Sequence, residues 1–179
     1  LFPVDVPERP VCYKAVMSFR NTLARELTVS GTALHAGTPV TMTLSPGAPG
    51  QGVVFRRRDK ANAEIPARYD LVGETRLGTV IAQDGVSVGV IEHLMAALWG
   101  AGVDNVLIEL DGGGVPIMDG SSEPFTFMLE CAGLKTLSVN RRVLRILKTI
   151  EVREGDSIAR VSPNMEGEEG CVLEDRKSV

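Results

Sequence analysis

Aromatic side chains are scarce in this sequence: five Phe, two Tyr and one Trp amount to 4% of 179 residues. A packed core must therefore come from Val, Leu, Ile, Ala and Met. Cysteine is scarce too. Cys12, Cys131 and Cys171 are odd in number, far apart and in no metal-ligand spacing. That argues against a disulfide framework and for buried or reduced thiols in a cytoplasmic protein. Positive charge is not in excess: 19 Lys and Arg stand against 23 Asp and Glu, for a net charge of −4. This gives no general electrostatic reason to bind nucleic acid or an anionic membrane. No run approaches the roughly 20 apolar residues that span a bilayer, so no transmembrane segment is expected. Residues before Tyr13 carry Asp5, Glu8 and three prolines instead of a basic end and an apolar core, so no secretory signal is expected there. Histidine is rarest among the chemically versatile residues, with only His35 and His93.

What is present is glycine, 19 residues of it, which favours tight turns and short elements. The length fits one domain, or one domain and part of a second. Residues 1–19 are proline-rich and without periodicity, and read as a disordered extension. Leu27 and Val29, then Val40, Met42 and Leu44, alternate with polar residues as half-buried strands do. Gly31 and Gly37 flank a turn holding His35. A strand follows over Gly52 to Arg57, with a basic run Arg56-Arg57-Arg58 that suits a solvated or edge-protecting role better than a phosphate site. Leu77 to Ile81 and Val86 to Val90 read as two strands joined through Asp84-Gly85, a strong hairpin signal.

The period then changes. Ile91, Leu94, Met95 and Leu98 fall on one face of a helix that Gly100 and Gly102 should end. Asn105 to Leu110 reads as a buried strand. Ser121 or Ser122 can cap a second helix with Phe125, Met128, Leu129 and Ala132 on its apolar face and Gly133 as its stop. Asp119, in the loop before it, should bond nearby backbone N–H groups. The fold class expected is α+β: a two-layer sandwich of a mainly antiparallel sheet with helices on one face. Val143 to Val152 and Ile158 to Val161 read as a further hairpin, which cannot bury itself alone. Residues 164–179 read as a polar tail.

Glu92-His93, at the start of the first helix, places a carboxylate beside an imidazole. Neutral imidazole is a good zinc ligand, and a neighbouring carboxylate can take a proton from water activated by the metal. Side chains one position apart on a helix diverge by about 100°, so the two can serve different partners. By itself such a pair also suits a solvated helix face. Its company decides. Gly31-Thr32-Ala33-Leu34-His35-Ala36-Gly37, then Glu92-His93-Leu94-Met95-Ala96-Ala97-Leu98, then Gly102-Val103-Asp104-Asn105 and Pro116-Ile117-Met118-Asp119-Gly120-Ser121 follow in order. Over about Thr22 to Pro163 the set closely resembles the N-terminal half of the UDP-3-O-acyl-N-acetylglucosamine deacetylases, zinc hydrolases of lipid A biosynthesis in Gram-negative bacteria.

The resemblance implies two similar α+β domains with the active site between them. Residues 20–138 would form the first, and 139–163 the opening hairpin of a second that is cut short. It implies that Glu92 is the general base, that His93 is a ligand to Zn2+, and that the substrate is a UDP-linked acylated glucosamine. The remaining zinc ligands, a His and an Asp of a His-Lys-x-x-x-Asp helix, would lie in a C-terminal domain that is missing here; no His-x-x-x-Asp follows His93. The chain alone is thus expected to be inactive. His35 has two readings, a cleft residue that meets the substrate and a structural turn histidine. Gly89-Val90 stand where the family has Ser-Thr, and Gly89 is itself an acceptable helix cap. The rival reading of the whole is a non-catalytic fragment or binding module that keeps the first domain's fold.

Overall fold

The computed structural model describes residues 19–142, 146–155 and 157–163. The expected extension before Phe19 and the polar tail from Asn164 lie outside these residues. The chain divides into two compact units after Arg141.

The first unit runs through β1 (Phe19–Leu23), β2 (Leu27–Ala33), β3 (Thr38–Pro46), β4 (Val53–Arg57), β5 (Ala63–Pro66), β6 (Ile81–Gln83), β7 (Val86–Val88), α1 (Glu92–Gly100), β8 (Val106–Leu110), α2 (Glu123–Ala132) and β9 (Leu134–Asn140). Five strands form one sheet in the order β2-β3-β8-β4-β5. Neighbours are antiparallel except β4 and β8, which are parallel. Parallel neighbours need a crossover. Here it runs from Arg58 to Asn105 and carries β5, the β6–β7 ribbon and α1.

Register sorts the side chains by face. Leu27, Leu44, Ile108, Phe55 and Ile65 form one row across all five strands, buried except for half-buried Leu27. The adjacent row, Thr28, Thr43, Glu109, Arg56 and Glu64, points the other way because strand side chains alternate. The Thr28 and Thr43 hydroxyls are 3.0 Å apart, and Arg56 reaches Glu64 at 2.6 Å and Glu109 at 3.2 Å. Such exposed pairs contribute about 0.2–1 kcal/mol each. The apolar row shares one core with Leu94, Ala97 and Leu98 of α1 and Phe125, Leu129 and Ala132 of α2. Burying one such large side chain contributes about 1.5–3 kcal/mol. The α+β expectation, with helices serving the apolar side of the sheet, is met.

Local chemistry explains the element ends. After α1, Val103 N–H bonds Leu98 C=O at 2.9 Å and Gly102 N–H bonds Trp99 C=O at 3.0 Å. Gly102 sits at φ 73, so this is the Schellman stop that the sequence pattern called for. At α2 the capping hydroxyl belongs to Ser121, whose Oγ accepts Glu123 N–H at 3.2 Å; Ser122 makes no side-chain cap. Asp84 and Gly85 turn the β6–β7 hairpin with φ 51 and 77.

Three expectations are corrected and one strand is added. The strand read at Leu77 begins only at Ile81. Arg57 is neither solvated nor on an edge: β4 lies between β8 and β5, and Arg57 shares the core-facing row of Val29, Met42 and Leu110. Its buried guanidinium is satisfied by Asp59 at 2.7 and 2.8 Å and by the Ser87 carbonyl. β9, unassigned from sequence, pairs with β1 through Leu134 to Asn140. In the second unit the strand read from Val143 begins at Ile150; residues 143–145 lie outside the described residues. There β10 (Ile150–Glu154) pairs antiparallel with β11 (Ser157–Val161).

Candidate functional site

The approach to α1 is strained. Val90 has φ 56, a left-handed conformation that costs a β-branched residue about 1–3 kcal/mol. The surroundings enforce it. Gly89 N–H bonds Gly113 C=O at 3.0 Å, and Gly89 C=O accepts Val115 N–H at 3.1 Å. Val90 itself is buried. Gly89 is therefore a bridging residue and not the cap. Ile91 takes the cap position without a side-chain bond, and Glu92 and His93 follow directly.

The pair then diverges. Glu92 is exposed, and its Oε2 accepts Thr79 N–H at 3.0 Å. A carboxylate at the first turn also complements the helix dipole. His93 turns inward and is 7% exposed. Its Nε2 lies 3.2 Å from the Pro116 carbonyl. A carbonyl only accepts, so Nε2 carries the proton, and in the neutral ring Nδ1 is left with a bare lone pair. Nδ1 is buried and has no hydrogen-bond partner. Phe125 of α2 stands edge-on to the ring, centroids 5.0 Å apart at 70°.

The other motifs close around this pair. Pro116 bridges to Ala33, and Ile117 N–H bonds Thr32 C=O at 2.9 Å. This ties the 111–120 loop to the end of β2 and fixes the carbonyl that His93 meets. Asp119 accepts the Ser121 N–H and hydroxyl, both at 2.9 Å. The Ser121 N–H first, then its hydroxyl, hold the Asp119 carboxyl below its usual range. The backbone role expected for Asp119 is the one observed. His35 is exposed in the turn after β2, and its Nε2 donates to the Leu77 carbonyl at 3.0 Å.

Sequence reading singled out Glu92, His93 and His35 but missed the groups that hold them: the Thr79 amide, the Leu77 and Pro116 carbonyls and the Phe125 edge. Three of these are backbone atoms, which carry no sequence signature. Phe125 was recognised only as part of an apolar face.

A metal imposes a stricter test. An imidazole tied at one nitrogen and bare at the other has the pattern of a zinc ligand with its supporting partner, so His93 fits as one donor. A protein zinc site needs three or four donors, and among the described residues no group of three His, Cys, Asp or Glu is placed to hold a metal ion. Among them, too, no helix is long and apolar enough to cross a membrane.

Comparison with known proteins gives one answer. The sequence model of a family described as UDP-3-O-acyl N-acetylglycosamine deacetylase matches residues 20–174. A protein of Xanthomonas oryzae pv. oryzae named UDP-3-O-acyl-N-acetylglucosamine deacetylase is 47% identical over 148 residues, covering 82% of this chain and 49% of the relative. Proteins of the same name from Myxococcus xanthus and Pseudoalteromonas atlantica are 42% and 43% identical, covering 87% and 81% of this chain and 50% and 48% of their own lengths. The chain spans about half the length of the curated relatives it matches.

Proposed function

Because this chain belongs to the UDP-3-O-acyl N-acetylglycosamine deacetylase family, we propose that it is the part of a zinc-dependent amide hydrolase that bears the general base, Glu92, and one metal ligand, His93. The whole enzyme would remove the N-acetyl group of a UDP-linked acylated glucosamine, in the cytoplasm, as the committed step of lipid A biosynthesis. The observation that carries the reading is the divergence of the pair: an exposed carboxylate held by one amide, and beside it a buried imidazole with a bare, unpartnered Nδ1. A packing histidine gains nothing from an unpaired buried nitrogen, which costs about 1–3 kcal/mol. The exposed, unpaired Cys131 suits a reducing compartment.

Bound zinc would supply Lewis-acid polarisation of the amide carbonyl and make a nearby water more acidic. The chain's own residues do the rest. His93 presents a donor whose orientation is fixed by the Pro116 carbonyl and the Phe125 edge. Glu92 accepts a proton from the attacking water at its carboxylate. The further zinc ligands belong to the remainder of the protein, and the break after Arg141 supports a second domain beginning there. These 179 residues taken alone supply one imidazole of the ligand set, so alone they are catalytically inert.

The test is acetate release from the UDP-linked substrate by this chain mixed with the remaining half and zinc. Glu92→Gln should lower kcat by about 10²- to 10⁴-fold. Undiminished activity of that variant would remove Glu92 from the mechanism. No acetate from the unaltered mixture would favour a binding module.

A further inference from the structure

Glu92 leaves the first turn of α1 toward solvent, yet its carboxylate is not free to sweep. Oε2 is tied to Thr79 N–H, while Oε1 has no hydrogen bond among the described residues. Thr79 ends a short strap, Leu77-Gly78-Thr79, and the other end of that strap is tied by His35 through the Leu77 carbonyl. The Leu77 side chain is 76% exposed, so packing does not hold that end. Gly78 makes the convergence possible. A β carbon there would lie 3.2 Å from Glu92 Oε1 and 3.7 Å from His35 Nε2, on a backbone at φ 146. Two residues 57 apart in sequence, His35 and Glu92, thus grip one three-residue segment from its two ends.

We propose that His35 is a positioning residue for Glu92: it anchors the strap, and the strap orients the carboxylate. The catalytic meaning of this role rests on the functional reading above; the clamp itself is a property of the fold. With Oε2 occupied by an amide, Oε1 is the oxygen presented to a proton donor, in one place. Holding a catalytic group in one attack geometry is worth far more to a rate than the single hydrogen bond that does it. His35 then acts through the backbone and has no need to touch substrate.

Amide hydrogen exchange on the purified 179-residue chain tests the clamp without any catalysis. In His35→Ala the Thr79 amide should exchange about tenfold faster, because the strap that carries it is no longer anchored at Leu77, while amides of β3 and β8 keep their protection. His35→Gln, whose side-chain amide still donates, should restore most of the protection. Unchanged Thr79 exchange in His35→Ala overturns the proposal, as does a loss that His35→Gln fails to repair. A second arm uses the chain mixed with the remaining half and zinc. There His35→Ala should lower kcat with KM little changed; a raised KM with kcat intact would make His35 a substrate contact and overturn the positioning role. If the unaltered mixture releases no acetate, the functional reading fails while the exchange arm still decides the clamp.

Discussion

Phe125 meets His93 edge to face, 5.0 Å between centroids and 70° between planes. This one contact joins α2 to α1 at the candidate ligand, so the packing of two helices also sets the angle of an imidazole. Phe125 is 1% exposed. Phe125→Ala should therefore cost about 3–5 kcal/mol in urea denaturation, as deletion of a buried ring does. It should also broaden the His93 ring resonances. A loss under about 1 kcal/mol would mean the ring is not packed as described.

Gly47 offers a sharper test of the sheet. A β carbon there would lie 2.6 Å from Val106 N and 2.7 Å from Asn105 C, both backbone atoms that cannot rotate away. Its N–H also bonds Thr22 Oγ1 at 2.8 Å. Gly47→Ala should destabilise by about 1–3 kcal/mol, the range for overpacking a tight site, and lower the melting temperature accordingly. An unchanged melting temperature would refute the close approach of β3's end to β8.

Acid should weaken the 111–120 loop. Asp119 is held below its ordinary value of 3.8 chiefly by the Ser121 N–H, then by the Ser121 hydroxyl. A carboxylate whose folded pKa is depressed adds stability above its unfolded pKa, and that stability is lost as pH falls through the folded value. Asp59, depressed first by its bond from Arg57, acts in the same direction. Melting temperatures between pH 7 and 3 should therefore fall, and Asp119→Asn should fall less steeply than the unaltered chain. A steeper acid limb in that variant would contradict the sign.

Metal analysis addresses the ligand count. With His93 as one donor and no group of three His, Cys, Asp or Glu placed for a metal among the described residues, the isolated chain should hold far less than one zinc after dialysis at neutral pH. Tightly held stoichiometric zinc would require ligands that the proposal assigns elsewhere.

What the sequence made legible follows a physical rule. Periodic burial announces itself, so the α1 stripe of Ile91, Leu94, Met95 and Leu98, the alternation of Val40, Met42 and Leu44, and the turn at Asp84-Gly85 were readable. Glu92 and His93 stood out because histidine is rare here. The β1–β9 ribbon was hidden, since β9 is mostly exposed and Leu134, Leu137 and Val139 do not alternate strictly. Arg57 misled because charge predicts exposure, whereas Asp59 and the Ser87 carbonyl make its burial tolerable. The supports of the site were invisible for a different reason: a peptide N–H or C=O belongs to every residue, and only folding decides which one faces a side chain.

The parallel alignment of β4 with β8 turns everything between them into an arch. Val53 lies beside Val106, and Arg57 beside Leu110, so both feet of the arch stand on adjacent central strands. Glu92 and His93 lie in its last third, at the start of α1, while the exposed Asp84-Gly85 bend is its crown. Residues inserted at that crown would extend it outward and leave the footing of the acid and the imidazole where it is.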